Sequence, residues 1–430
     1  MSDLLARHRA VMPNWVALYY DQPIEIVRGS GRRVFDADGN GYLDFFAGIL
    51  TNMLGYDVPE VKAAITEQVQ RGVLHTSTLY LIRSQVELAE RIGRLSGIPD
   101  AKVFFTASGT EANELALLLA TQFRRSAQVL ALRNSYHGRS FTAIGVTGIR
   151  SWSPTSLSPV QVSYVHGGYR YRSPFRALSD ADYIAACVGD LRDVIESTTA
   201  GDVACMIAEP IQGVGGFAVP PDGLFGAMKE VLDEYGILFV SDEVQTGWGR
   251  TGEHFWGIGV HGVTPDAMTF AKGLGNGMSI GGVVTRAEIM DSLGANSIST
   301  FGGNPLATAA AKATLDYVLD HDLQANAHKV GARLLSGLRD LGEDVDAVGD
   351  LRGKGLMAAI ELVEPGTDRP DVGVTAAVME QTRHRGLLVG RGGRLGNVLR
   401  IAPPLTITED EADEGLAILT DSLAAVTAAR

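Results

Sequence analysis

The chain has 430 residues, 45% hydrophobic and 20% charged, with a formal net charge of −13. That length exceeds what one hydrophobic core usually organises, so two domains are expected. The acidic balance argues against a nucleic-acid or anionic-membrane surface, which needs clustered Lys and Arg.

No apolar run approaches bilayer length. Met1 to Ala10 is charged and lacks the apolar core of a signal peptide, so a cytoplasmic location is expected. Cys187 and Cys205 lie in apolar surroundings and are expected as buried thiols of a reducing compartment, with no bridge and no metal. The 51 glycines suit a Gly-rich α/β enzyme whose backbone approaches a ligand closely.

Arg33–Asp44 predicts two short strands around an Asp-Gly-Asn-Gly turn. Pro59–Arg71 predicts an amphipathic helix, with Pro in its first turn and Gly72 just past its end. Lys102–Thr106 predicts an apolar strand that runs into Ser-Gly-Thr and a helix through about Phe123. Another strand is expected at Val129–Leu132. Ser151–Asp182 is rich in Ser, Pro and Tyr without a clear period, and one long loop is expected there. Val203–Ala208, Ile237–Val240 and Ala267–Ala271 are continuous apolar runs. Such runs suit strands covered on both faces of a parallel sheet, with helices such as Leu224–Tyr235 between them.

These elements predict a large α/β domain over residues 51–320, with a mostly parallel central sheet flanked by helices. Leu306–His321 predicts a long linking helix, and Gly331–Leu341 another. Leu356–Leu362 and Val398–Ile401 predict strands. Thr408 with Glu411 has capping-box spacing and opens a final helix. A small α+β domain is expected over residues 321–430, joined by the N-terminal segment 1–50.

Ser108-Gly109-Thr110 follows a strand and opens a helix, a geometry that presents free N–H groups and a positive dipole end to a phosphate. An ordinary N-cap explains the same residues. Tyr136 and His137 follow the next strand, where an aromatic can stack on a flat heterocycle or simply sit at an interface. Asp242 ends a buried strand, where open α/β sheets bind ligands. It can pair with a protonated pyridine nitrogen and keep it charged, or cap the following turn. Val244 can pack on a ring face and Gln245 can reach a ring oxygen. Lys272 follows an apolar strand and precedes a Gly-rich loop. Burial would supply the neutral amine that imine formation needs, though a surface lysine fits the position too. Glu209 ends a further strand, and Arg400 offers bidentate recognition of a carboxylate or forms a structural ion pair. Phosphate cradle, stacking ring, nitrogen partner and amine together answer the needs of one cofactor.

These residues resemble the class III aminotransferases, fold-type I enzymes dependent on pyridoxal 5′-phosphate (PLP). The resemblance runs from Asp36-Ala37-Asp38-Gly39 to Arg400-Ile401-Ala402-Pro403 and is densest at Ser241-Asp242-Glu243-Val244-Gln245-Thr246-Gly247 and Lys272. It implies that Lys272 carries the cofactor as a Schiff base and shuttles protons, and that Asp242 partners the pyridine nitrogen. It places Gln245 on the ring oxygen, Gly109 and Thr110 on the phosphate, and Tyr136 on the ring. Ser108, His137, Glu209 and Val244 join this cofactor-binding set. Thr300, in Ser299-Thr300-Phe301-Gly302-Gly303, is implied to reach the phosphate of a neighbouring subunit, hence a homodimer or a dimer of dimers. Arg400 is implied to hold a substrate carboxylate.

Within the family the chain most resembles the alanine–glyoxylate aminotransferase 2 branch. The pointers are His75-Thr76-Ser77-Thr78, Glu209-Pro210-Ile211-Gln212-Gly213-Val214, Leu351-Arg352-Gly353-Lys354-Gly355-Leu356 and Gly386-Leu387-Leu388-Val389-Gly390-Arg391-Gly392. Relatives that use glutamate carry Glu where this chain has Val214. That departure favours pyruvate or glyoxylate as acceptor. Gly55-Tyr56-Asp57 replaces the Gly-His common in relatives. The expected activity is ping-pong transfer of an amino group from an amino acid or ω-amine to a keto acid. A phospho-lyase or mutase on the same scaffold is the nearest alternative, and a non-catalytic PLP-binding protein a remote one.

Overall fold

The computed structural model describes residues 2–343 and 345–428. Met1 and Arg430, the outer ends of the first and last expected segments, lie outside them. The centre is a seven-stranded sheet. Its spatial order is Ala101–Thr106, Gly281–Arg286, Ala267–Phe270, Leu238–Asp242, Cys205–Ala208, Gln128–Leu132 and Gln161–Val165. Gly281–Arg286 runs antiparallel to both its neighbours, and the pairs from Ala267–Phe270 to Gln161–Val165 are parallel.

The continuous apolar runs have a simple cause. Successive side chains of a strand point to opposite faces, and here both faces are cores. Leu130, Leu132, Met206 and Phe239 pack into the larger core, with Met228 and Phe225 of the helix Leu224–Glu234. Val129, Ala131, Ile207 and Val240 pack into the other, against Ala116 and Leu117 of the helix Gly109–Arg124. Cys187 and Cys205 are free and buried, one in each core.

Two strands differ from expectation. Gln161–Val165 lies inside the stretch expected to be one loop and forms the sheet edge, Gln161 opposite Gln128. An edge strand has one neighbour and stays partly wet, so Gln-Val-Ser-Tyr-Val shows no apolar run. Gly281–Arg286 was not expected because it opens on two glycines. A Cβ on Gly282 would lie 2.6 Å from the Phe270 ring and from the Phe104 carbonyl oxygen. Close backbone packing, not low strand propensity, accounts for those glycines. The helix expected at Gly331–Leu341 runs from Leu323 to Glu343.

Two smaller sheets complete the chain. Val348–Lys354, Met357–Leu362, Val398–Ile401 and Gly390–Gly392 form an antiparallel sheet in that order. Ile26–Ser30, Arg33–Asp36 and Gly41–Asp44 form a meander whose last strand pairs with Leu387–Leu388. The strands around the Asp-Gly-Asn-Gly turn are as expected, with Arg33 opposite Leu43. The capping box forms too. The Glu411 N–H donates to Thr408 Oγ1 at 3.2 Å, and the Thr408 N–H to Glu411 Oε2 at 3.1 Å. Arg32 then grips both Glu411 oxygens, at 2.8 and 2.9 Å, tying the last helix to the N-terminal strands. Thr408→Ala should cost about 1 kcal/mol, seen as a lower midpoint of urea unfolding that Thr408→Ser does not share.

Candidate active site

Parallel strands direct their C-terminal ends to one edge of the sheet, and the buried polar groups gather there. Asp242 closes the strand Leu238–Asp242 at 4% exposure. Its Oδ2 accepts from Asn113 Nδ2 at 2.7 Å and lies 2.7 Å from His137 Nδ1. Its Oδ1 accepts from the Val244 N–H at 3.1 Å, so the turn-capping role is real as well. Asn113 also donates to the His137 carbonyl at 2.8 Å and accepts from Thr269 Oγ1 at 2.6 Å. One carboxylate thus joins three strand ends and a helix. His137 Nε2 is buried without a partner.

Glu209 lies beyond the strand Cys205–Ala208. It is neither exposed nor in an ion pair. It accepts the Tyr136 N–H at 2.9 Å and the Gly213 N–H at 2.8 Å. Burial holds its carboxyl well above the usual range, partly offset by His137. The Tyr136 ring meets Trp152 edge-on at 5.3 Å. Ser108 caps the helix Gly109–Arg124 by accepting the Glu111 N–H at 3.2 Å. Capping uses a lone pair and leaves the hydroxyl proton free to donate. A Cβ on Gly109 would lie 3.1 Å from both Val244 methyls. A Cβ on Gly213 would lie 2.2 Å from Gln245 Nε2, and Gln245 Oε1 is buried without a partner.

Lys272 stands two residues past the strand Ala267–Phe270, with φ of 42°. Left-handed backbone costs a side-chain-bearing residue about 1–2 kcal/mol, and such strain clusters at functional sites. Burial pulls the Lys272 ammonium down to about 8, against the opposing pull of Asp242 and Glu209. Every expected residue named so far lines one cavity of about 360 Å³. Thr300 and Arg400 do not.

Thr300 is exposed. Arg400 is 5% exposed on the strand Val398–Ile401. Its guanidinium donates to the Arg391 carbonyl at 3.0 and 3.2 Å and to the Gly213 carbonyl at 3.3 Å. It lies 4.7 Å from the Phe46 ring centroid and 5.6 Å from that of Phe217. Among the described residues no carboxylate pairs with it, so the structural ion pair is not formed. Gly213 ties it to the cavity, because the same residue bonds Glu209. Tyr56 donates to Asp44 Oδ2 at 2.5 Å. Asp44 Oδ1 accepts the Phe46 and Ala47 N–H groups at 2.8 and 2.9 Å. A left-handed turn follows, with Ala47, Ile49 and Leu50 at positive φ, and leads to Thr51 on the cavity wall.

Sequence reasoning missed Asn113 and Thr269. Asn113 carried a signal: it lies four residues after Gly109, one helical turn in, on the face that meets Asp242. Thr269 carried none beyond its place in an apolar strand.

Residues 16–423 match the family Aminotransferase class-III. The chain is 40% identical over 419 residues to the mitochondrial alanine–glyoxylate aminotransferase 2 homolog 2 of Arabidopsis thaliana, covering 95% of this chain and 85% of that one. An amine transaminase from an uncultivated Pseudomonas species, in PLP-bound form, has a TM-score of 0.89 at 32% identity, covering 96% and 98%. An Arthrobacter phospholyase in complex with phosphoethanolamine has a TM-score of 0.89 at 34% identity, covering 98% and 99%. The chain belongs to the class-III aminotransferases. It is a PLP-dependent transaminase, with an amino donor and a keto acid as substrates.

Asn113→Ala would leave the Thr269 hydroxyl without its acceptor and take from Asp242 Oδ2 one of its two partners, His137 being the other. A loss of about 1–3 kcal/mol is expected in denaturant unfolding of the protein.

Proposed function

We propose that the cavity beside Lys272 holds pyridoxal 5′-phosphate, and that the enzyme moves an amino group from an amino acid or ω-amine to pyruvate or glyoxylate by a ping-pong sequence. The observation that carries this is the half-buried, left-handed Lys272 sharing one cavity with the braced Asp242. The fit is good. The first N–H groups of the helix at Gly109 lack intrahelical partners and suit a phosphate. Gln245 Oε1 lines the cavity as an unsatisfied buried atom.

When bound, the cofactor supplies an electron sink for negative charge on the donor carbon. Gly109, Thr110 and the Ser108 hydroxyl hold the phosphate. Tyr136 and Val244 cover the ring, and Gln245 serves the ring oxygen. Asp242 keeps the proton on the pyridine nitrogen, and Asn113 and His137 keep Asp242 in place. Glu209 fixes the backbone of Tyr136 and Gly213. The Lys272 Nζ is the base that takes the proton from the donor carbon and the acid that returns one.

Arg400 receives the substrate carboxylate. With Val214 nearby in place of Glu, no carboxylate has to leave Arg400 first, which favours alanine, pyruvate and glyoxylate over glutamate and 2-oxoglutarate. Thr300 lies outside its own cavity, as a residue serving a second copy would. Leu79, Tyr80, Leu81 and Phe301 are 71%, 70%, 98% and 62% exposed, a patch suited to a homodimer interface. The unpaired thiols Cys187 and Cys205 suit a reducing compartment, in line with a cytoplasmic location. A phospho-lyase is the second reading, favoured by the likeness to the Arthrobacter enzyme.

Incubating donors with pyruvate, glyoxylate or 2-oxoglutarate and measuring amino-acid product against released phosphate separates the two. Alanine or glycine is expected. A clear preference for 2-oxoglutarate would remove the Val214 argument, and phosphate release without amino transfer would install the lyase. Lys272→Ala should abolish turnover, and near-normal transamination by that variant would end the assignment. Only a neutral amine can bond an aldehyde. Because burial lowers Lys272 to about 8, apoenzyme should recapture cofactor faster as pH rises and level off above about 8. A rate still climbing beyond pH 10 in stopped-flow absorbance would contradict the buried lysine.

A further inference from the structure

A second arginine lies in register with Arg400. In the antiparallel sheet Arg352 pairs with Ala359, and Ala359 pairs with Arg400. Residues directly opposite share a face, so the two arginines project from the same side, about 10 Å apart, with only a methyl between them. Both reach one turn. Gln212 and Ala218 close its base by exchanging backbone bonds at 3.1 and 3.2 Å. Arg400 donates to the Gly213 carbonyl at 3.3 Å. Arg352 donates twice to the Gly216 carbonyl, from Nε at 3.0 Å and Nη2 at 2.8 Å.

The two charges are treated differently. Arg352 bonds Glu361 Oε2 at 3.0 Å and also Asp350. Glu361 is itself fully buried, held by Arg172 Nε at 2.7 Å and by the Tyr169 hydroxyl. Arg400 is buried among carbonyls and aromatic rings; Glu209 acts on it only at longer range, and among the described residues no carboxylate forms an ion pair with it. Burying a charge is tolerable when it is paired, and the unpaired one is the better receiver of an incoming carboxylate.

The peptide between Gly216 and Phe217 is the point of leverage. Its carbonyl is held by Arg352. Its N–H donates to the Gly213 carbonyl at 3.3 Å. Phe217 follows with φ of 49°, a strained conformation for a side chain that is fully buried. Its ring stands 5.6 Å from the Arg400 guanidinium. We infer that Arg352 is a positioning residue for substrate binding: by clamping the Gly216 carbonyl it holds Phe217 and Gly213 where they aim Arg400 at the substrate carboxylate. This rests on Arg400 being the carboxylate receiver. Arg352 itself touches neither substrate nor cofactor in this account.

The test uses holoenzyme and whichever of pyruvate, glyoxylate and 2-oxoglutarate the wild type uses best. Arg352→Lys keeps the charge but cannot bond one carbonyl from two nitrogens. It should raise KM for the keto acid about tenfold or more while kcat stays within about threefold. The cofactor absorbance band should not change. Phe217→Leu leaves the ion cluster intact, loosens the same cage, and should raise KM in the same direction. It decides the matter if Arg352→Lys does not fold. Arg400→Gln is the control. If it raises KM while Arg352→Lys and Phe217→Leu do not, the inference falls and the carboxylate reading stands. If Arg400→Gln leaves KM unchanged, the carboxylate reading falls and the inference with it. Equal losses of kcat in all variants with unchanged KM would mark a merely structural role and overturn it too.

Discussion

A carboxylate cannot be buried at a strand end unless donors surround it, and the geometry of this protein turns on how Asp242 meets that demand. Uncompensated, such a charge costs several kcal/mol. Here the donors come from three different elements: Asn113 on a helix, His137 in a loop and the Val244 N–H in the next turn. The helix Gly109–Arg124 is therefore pinned to the strand that presents the carboxylate. Thr269, in the strand that leads to Lys272, is pinned to the same Asn113. Four segments distant in sequence acquire a fixed geometry from one anion.

Lys272 is the counterpart. Its amine faces the cavity, and partial burial lowers its proton affinity. The left-handed backbone there is tolerated because both flanks are locked. The strand before it belongs to the sheet, and the turn after it packs so tightly that a Cβ on Gly273 would lie 2.8 Å from Met53 Sδ. The strain is held by the fold and available to the site.

The small antiparallel sheet applies the opposite logic to Arg352 and Arg400. One is neutralised by Glu361 and Asp350 and acts on backbone. The other has no ion-pair partner among the described residues and feels Glu209 only at longer range. A charge-balanced, hydrogen-bonded cluster rigidifies what it touches, and the turn it touches is the one that carries Phe217 and Gly213. Tyr56 does similar work on the far side. Its hydroxyl holds Asp44, and Asp44 holds the start of the left-handed turn that ends on the cavity wall. Tyr56 thus braces backbone that leads to the cavity wall.

Local sequence determined a great deal. Apolar runs reported doubly covered strands, because both faces of the sheet are core. Thr408 with Glu411 reported a helix start, because a capping box is complete within four residues. Ser108–Thr110, Tyr136, Asp242 and Lys272 line one cavity, because each follows or closes a strand at the same edge of the sheet. Tertiary structure decided what depends on neighbours. Gln161–Val165 is a strand because Gln128–Leu132 lies beside it, and nothing in its own residues demands that. Arg352 was legible only as part of a family-like segment; its alignment with Arg400 exists in the register of three strands. The N-cap at Ser108 and the turn cap at Asp242 both form and are compatible with a place on the cavity wall, since one oxygen can cap while another atom faces the cavity. Thr300 lies beyond what a single chain decides, because its expected partner belongs to a second copy. Residue identity sets which chemistry is possible, and the long-range pairing of strands sets which residues meet.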